Sequence, residues 1–183
     1  MRILIGAAQC ISPVGAGLKD SFLRMRDGGS ALAPVTNALG TGAEQWLGRI
    51  TGPGSDAPGK ALRIARSCLT ASLEETAIDI RDPRCAVMLS TTKGDMGPLE
   101  GGRAAGSRLS TLGDAIGRDL GIASRPWIVS NACASGTSAL ILAADLIRAG
   151  EADHAMIIGV DVLSQFVLSG FASLYALSSG PCR

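Results

Sequence analysis

The chain has 183 residues, a formal net charge of +1 and only 18% charged residues. Its length suits one domain with a core of its own, and its charge excludes nucleic acid or an anionic membrane as partners held by bulk electrostatics. Aromatics at 3% leave little for base stacking, while a mean hydropathy of +0.29 predicts more hidden surface than a lone monomer carries, as a dimer interface or a further domain would provide.

In chain order, residues 2–8 read as a buried opening strand, followed by a turn at Ser12-Pro13-Val14-Gly15. A short amphipathic helix is expected over 18–26, stopped by Gly28-Gly29. Residues 30–59, rich in Gly, Pro, Ala and Thr, are expected to be irregular surface. A helix over 60–77 follows, with Ala61, Leu62, Ile64, Ala65, Cys68, Leu69 and Leu73 on its apolar face. A strand at 84–89 runs into the polar loop 90–97. Further elements are a helix at 109–120, a strand at 126–130, a helix at 136–149 and a strand at 155–160. Strands alternating with helices predict an α/β fold with a mainly parallel sheet.

The helix at 136–149 is apolar around nearly its whole circumference, with Asp145 and Arg148 the charged residues from 139 to 149. A helix on an ordinary sheet shows one apolar stripe. This one is expected to lie between two layers, with the second cover supplied by another domain or subunit. Residues 162–182 carry no charge. Their serines, Gln165 and Pro181 argue against a membrane span and for a buried interface segment.

The chemistry centres on Cys133, in Ser130-Asn131-Ala132-Cys133-Ala134-Ser135-Gly136-Thr137-Ser138-Ala139. A thiol between a strand and a helix, among small residues, is open to substrate. A helix N-terminus favours thiolate there, as covalent acyl transfer requires. A buried structural cysteine is the other reading of the same features. The remaining cysteines, Cys10, Cys68, Cys85 and Cys182, form no CxxC pair and His154 is the single histidine, so no zinc site is expected. The odd cysteine count and the absence of a recognisable secretory leader predict a cytoplasmic protein. His154 precedes its strand whereas Cys133 follows its own, which puts them at opposite ends of a parallel sheet. The loop 90–97 lacks P-loop order, because Lys93 precedes Gly94. It reads as a connecting loop that lines a pocket.

The block 131–139 resembles the active-cysteine signature of the β-ketoacyl synthases, in the thiolase-like superfamily. The opening strand with Ser12-Pro13-Val14-Gly15, then Gly159-Val160-Asp161, Gly170-Phe171-Ala172-Ser173-Leu174, Ala176-Leu177-Ser178 and Pro181-Cys182-Arg183, is similar to the family in order. The resemblance covers residues 1–183 as an N-terminal domain, with the C-terminal half absent from this chain. It implies the N-terminal half of a five-layer α/β/α/β/α sandwich, with the cysteine helix in the middle layer. It also implies a homodimer paired through strand 126–130, and acyl carrier protein as the partner that brings a phosphopantetheine thioester. The implied reaction is decarboxylative Claisen condensation in fatty acid or polyketide synthesis, with Cys133 as nucleophile and its N–H as one oxyanion donor. Thr92 and Phe171 are candidate substrate contacts. The family's two histidines, its lysine and its second oxyanion donor match nothing here, so the chain alone is expected not to condense thioesters. A thiolase-type condensing enzyme and a non-catalytic partner or scaffold of the same fold remain as alternatives.

Overall fold

A computed structural model describes residues 2–51, 58–122, 124–178 and 180–181. Its elements are β1 (Ile11–Ser12), β2 (Gly15–Ala16), α1 (Leu18–Arg26), β3 (Leu32–Thr36), β4 (Glu44–Gly48), α2 (Lys60–Glu74), β5 (Cys85–Ser90), α3 (Gly97–Glu100), a 3-10 turn (Ala104–Ser107), α4 (Leu109–Leu120), β6 (Trp127–Val129), α5 (Ser135–Arg148), β7 (His154–Gly159) and α6 (Gln165–Ser173). They fall into two compact units. One comprises Met1–Ala8 and Pro58–Val162, the other Gln9–Ala57 and Leu163–Arg183.

The first unit is a three-layer sandwich. Its sheet has the order β6-β5-β7, with both pairings parallel. β5 is central and buried on both faces, so its Cys-Ala-Val-Met-Leu-Ser run is apolar almost throughout rather than alternating. One face, with Cys85, Val87 and Leu89, packs against Ala61, Ala65 and Leu69 of α2 and Leu112 and Ile116 of α4. The other face puts Met88 against Ala139 and Ala143 of α5. Small residues at 139 and 143 let the α5 backbone approach the sheet closely. Gly113 does the same for α4: a methyl added there would fall 2.4 Å from Ile128 Cδ1, a separation that packed atoms do not tolerate.

Local chemistry ends α4 and α5 within one residue of where the sequence predicts, whereas α2 stops at Glu74, short of the predicted residue 77. Gly121 and Gly150 both have positive φ. The next residue's amide then reaches back, Ile122 N–H to Gly117 O and Glu151 N–H to Leu146 O, both at 3.0 Å. That is the Schellman closure, which glycine enters without a Cβ clash.

α5 is covered on one side only. Ser135, Ala139 and Ala143 are buried, whereas Leu140 and Ile141 are 50% and 58% exposed. The all-round apolar helix therefore has its first layer here and an open face where the expected second layer would go. At the sheet's edge, Trp127 of β6 is 52% exposed.

Two sequence expectations fail. Residues 2–8 form no strand, and Leu4 and Ile5 are exposed. Apolarity alone does not make a strand, because its N–H and C=O groups need a partner edge, and these residues pair with no described strand. Residues 30–59 are not wholly irregular either, although 52–57 lie outside the described residues. β3 and β4 pair antiparallel in the second unit, from Leu32↔Gly48 to Thr36↔Glu44. Gln45 and Leu47 alternate inward. Asn37, Gly40 and Gly42 take positive φ at the hairpin end, and Asn37 Oδ1 accepts the Gly42 N–H at 2.8 Å. Elsewhere in that unit, α1 spans the predicted residues, and Pro13-Val14 turn β1 into β2. The segment read as an interface, 162–182, contains α6, on which Phe166 and Phe171 are exposed. Cys182 and Arg183, the last two residues of the Pro181-Cys182-Arg183 motif, lie outside the described residues.

Candidate active site

The carboxyl ends of β5, β6 and β7 converge on a cluster of small polar residues. In a parallel sheet, these ends are where ligands bind. β6 leaves the sheet at Val129, and the chain turns through residues 130–134 before α5 begins at Ser135. Cys133 lies in that turn and is exposed, while Cys10 and Cys68 are half-buried and Cys85 is buried.

The turn has a specific construction. Ala132 takes φ 45°, a left-handed conformation that an L-residue with a Cβ adopts reluctantly. The buried Ser135 hydroxyl spans it. Its oxygen accepts the Asn131 N–H at 2.8 Å and its proton goes to Ala132 O at 2.7 Å. The Ala134 N–H also donates to Asn131 O at 2.9 Å. Asn131 Nδ2 donates to Ser138 Oγ at 3.0 Å, one turn into the helix. The N-cap residue, Ala134, has no side chain to accept from the first-turn amides. Cys133 therefore stands beside a helix N-terminus whose dipole its own cap does not answer.

β5 and β7 contribute a second polar knot. The Asp161 carboxylate accepts from Thr91 Oγ1 at 3.1 Å, from the Thr92 N–H at 3.0 and 3.1 Å, and from Thr92 Oγ1 at 2.8 Å. Thr91 is fully buried, and its hydroxyl also accepts the Gly94 N–H at 3.0 Å. Lys93 Nζ donates to Thr92 Oγ1. Backbone bonds tie the strand ends together, Thr91 N–H to Val129 O and Val160 N–H to Ser90 O. The Ser130 hydroxyl reaches Thr92 O at 3.5 Å. Loop 90–97 is thus fixed beside the chain that leads into Cys133.

A family profile described as 3-oxoacyl-[acyl-carrier-protein (ACP)] synthase III matches residues 129–169. That stretch holds the Cys133 turn, α5 and β7. No curated protein sequence matches the chain. Among solved structures, a ketosynthase in complex with its chain length factor from Xenorhabdus doucetiae is similar at TM-score 0.78 and 22% identity, over 98% of this chain and 52% of that one. A β-ketoacyl synthase from Burkholderia phymatum STM815 gives 0.77 and 18%, over 97% and 51%. A type II polyketide synthase acyl-carrier protein in complex with its ketosynthase, bound to the hexaketide, gives 0.77 and 18%, over 98% and 50%.

The chain has the β-ketoacyl synthase fold over nearly its whole length. It spans about half the length of each of these three ketosynthase chains.

In this fold, the residues anticipated from sequence are distributed as follows. Cys133 is at the carboxyl end of the sheet, and Thr92 is in the same polar cluster. Both hydrogen-bond donors of Thr92, the amide and the hydroxyl, already serve Asp161. Phe171 is on α6, in the second unit, and is 44% exposed. His154 opens β7 opposite Cys85, at the amino end of the sheet, as its position before the strand requires. Among the described residues, no three His, Cys, Asp or Glu side chains group as metal ligands do. No described helix is long and apolar enough to cross a membrane. A groove of about 800 Å³ in the second unit, near Leu23, Arg24, Leu47 and Arg49, touches none of Cys133, Thr92 or Phe171.

Ser135, Asn131, Thr91 and Asp161 were not singled out from the sequence. Asp161 carried a signal, being a carboxylate placed just after a strand apolar on both faces. The hydroxyl pattern Ser130, Ser135, Ser138 around the cysteine carried another.

Proposed function

We propose that this chain is the nucleophile-bearing half of a condensing enzyme that joins acyl units in fatty acid or polyketide synthesis. The observation that carries the reading is an exposed cysteine, displayed on a left-handed turn at the carboxyl end of a parallel sheet with the ketosynthase fold. The Cys133 thiolate attacks the carbonyl of an acyl thioester and expels the donor thiolate, which takes up a proton. The Cys133 N–H is one oxyanion donor to the tetrahedral intermediate. In the whole enzyme, a malonyl thioester on acyl carrier protein then loses carbon dioxide, and its carbanion attacks the acylated Cys133. The groups that drive decarboxylation have no counterpart in these 183 residues, so this chain accepts an acyl group and stops.

Thr92, in the first unit, and Phe171, in the second, are each taken as a candidate contact for the acyl chain. Because the Thr92 donors are engaged by Asp161, its contact with substrate is through its methyl group. The partners are acyl carrier protein and a second subunit added along the open edge of β6. That subunit is a copy of this chain or a related one, since a solved ketosynthase of this fold is in complex with its chain length factor. We read the protein as cytoplasmic and the whole chain, 1–183, as one N-terminal domain of such an enzyme.

The test is incubation with a short acyl thioester followed by peptide mass spectrometry. An acyl adduct on Cys133, absent from Cys85, is expected. A chain whose Cys133 stays free under conditions that acylate a small thiol contradicts the reading and favours a non-catalytic partner of the same fold. Formation of a β-ketoacyl product by these 183 residues alone contradicts the half-enzyme assignment.

A further inference from the structure

We propose that Ser135 is a positioning residue for Cys133, acting through its buried hydroxyl to hold the left-handed turn at Ala132. The inference rests on reading Cys133 as the nucleophile.

A serine hydroxyl has one proton and two lone pairs. Here the proton goes to Ala132 O and a lone pair takes the Asn131 N–H. Both bonds land on the two residues just before the cysteine, while Ser135 itself sits two residues after it. One side chain therefore ties both flanks of Cys133 together. Ser135 is 4% exposed, so water does not easily replace either bond. The restraint has work to do because Ala132 sits at φ 45°, where alanine is disfavoured. Released from it, the peptide would relax toward negative φ. The Cys133 N–H and sulfur would turn with it, since both follow directly in the chain. Asn131 is also held through Ser138, which fixes its side chain, and two backbone bonds close the same turn, Ala134 N–H to Asn131 O at 2.9 Å and Ser135 N–H to Ala132 O at 3.3 Å. The Ser135 hydroxyl acts on the turn itself.

The experiment follows alkylation of Cys133 by iodoacetamide in the 183-residue chain, site by site and across pH. Ser135→Ala is expected to slow the reaction about tenfold, the scale of losing a buried hydrogen-bond partner, and to change the pH-rate profile. Ser135→Thr keeps the hydroxyl and is expected to restore the rate. Adding Ala132→Gly to Ser135→Ala is expected to recover most of it, because glycine enters the left-handed region without strain. A Ser135→Ala chain that reacts like the wild type across pH overturns the proposal. So does a Ser135→Thr chain as slow as Ser135→Ala.

Amide hydrogen exchange at Asn131 in the wild-type chain decides the matter even if the variants do not fold. Protection is expected, and exchange at the rate of an unstructured peptide overturns the clamp. A wild-type Cys133 no faster than a free cysteine, with Asn131 protected, would instead count against Cys133 as nucleophile.

Discussion

At its carboxyl end the three-stranded sheet carries Cys133, Thr91, Thr92 and Asp161. At its amino end it carries Cys85, Arg84, Asp153 and His154. Each end thus has a cysteine and an aspartate, yet the two are put to different use. Cys85 is 1% exposed, and burial, with Asp82 and Asp79 nearby, pushes its thiol up. It is held as a neutral core side chain. Cys133 is exposed on a turn made of small residues. Asp153 makes a two-pronged ion pair with Arg84, at 2.6 and 2.7 Å, and Arg84 also caps Gly150 O. Asp161 spends its oxygens on neutral hydroxyl and amide donors instead. One end is closed by charge pairing at the surface. The other is organised by hydroxyls around an open thiol. The same residue types thus build a seam or a site according to burial and to the strand end they occupy.

The largest expected effect tests the open end directly. Cys133→Ala should lower acylation by an acyl thioester roughly a thousandfold or more, while Cys85→Ala leaves Cys133 acylation intact. Equal labelling of Cys85 and Cys133 in the native chain would break the contrast. Next in size is the layer both ends share. Leu89→Ala removes a fully buried side chain from the α2/α4 face of β5 and should cost about 2–5 kcal/mol in urea unfolding. Thr91→Val keeps the shape but strips the hydroxyl that serves Asp161 and Gly94, and should cost about 1–3 kcal/mol. Amide exchange at Gly94 should speed up with it, while the Arg84 end stays unchanged.

The smallest effect belongs to the amino end. The hydrogen bond from Arg84 holds the Asp153 carboxyl below its ordinary range. Both groups are exposed, so screening limits what the pair contributes. Its sign is fixed by proton linkage. With a depressed native value, the contribution is complete above the ordinary carboxylate range. It drains away as pH falls through the lowered value, because the unfolded chain takes up its proton first. The stability gap between wild type and Asp153→Asn should be small at pH 7 in low salt, shrink in high salt, and vanish in acid. A gap that grows in acid would refute the assignment.

Much of the first unit was legible in the sequence because its signals are local. α4 spans the predicted residues, as does α1 in the second unit, since amphipathic spacing and a following glycine mark each. β5, β6 and β7 fall within one residue of expectation at each end, because buried parallel strands are apolar runs between polar breaks. Residues 2–8 misled for the same reason: an apolar run states a preference, and only a partner edge makes it a strand. The β3–β4 hairpin was missed because composition outweighed the alternation in Glu44-Gln45-Trp46-Leu47-Gly48 and the turn residues Asn37, Gly40 and Gly42. At the candidate site, the exposed position of Cys133 between strand and helix was readable from its neighbours. The bonds from Ser135 and Asp161 were not, because a hydroxyl or a carboxylate has many possible partners until the chain has folded.

Gly113 gives the active end a distant lever. Ile128 reaches into the space where a side chain at 113 would stand, and Ile128 belongs to β6, the strand that delivers the chain to Cys133. A single carbon grafted onto α4 would push the Ile128 side chain out of its seat. The packing beneath the strand that leads to Cys133 would then be rearranged by an edit made on another element.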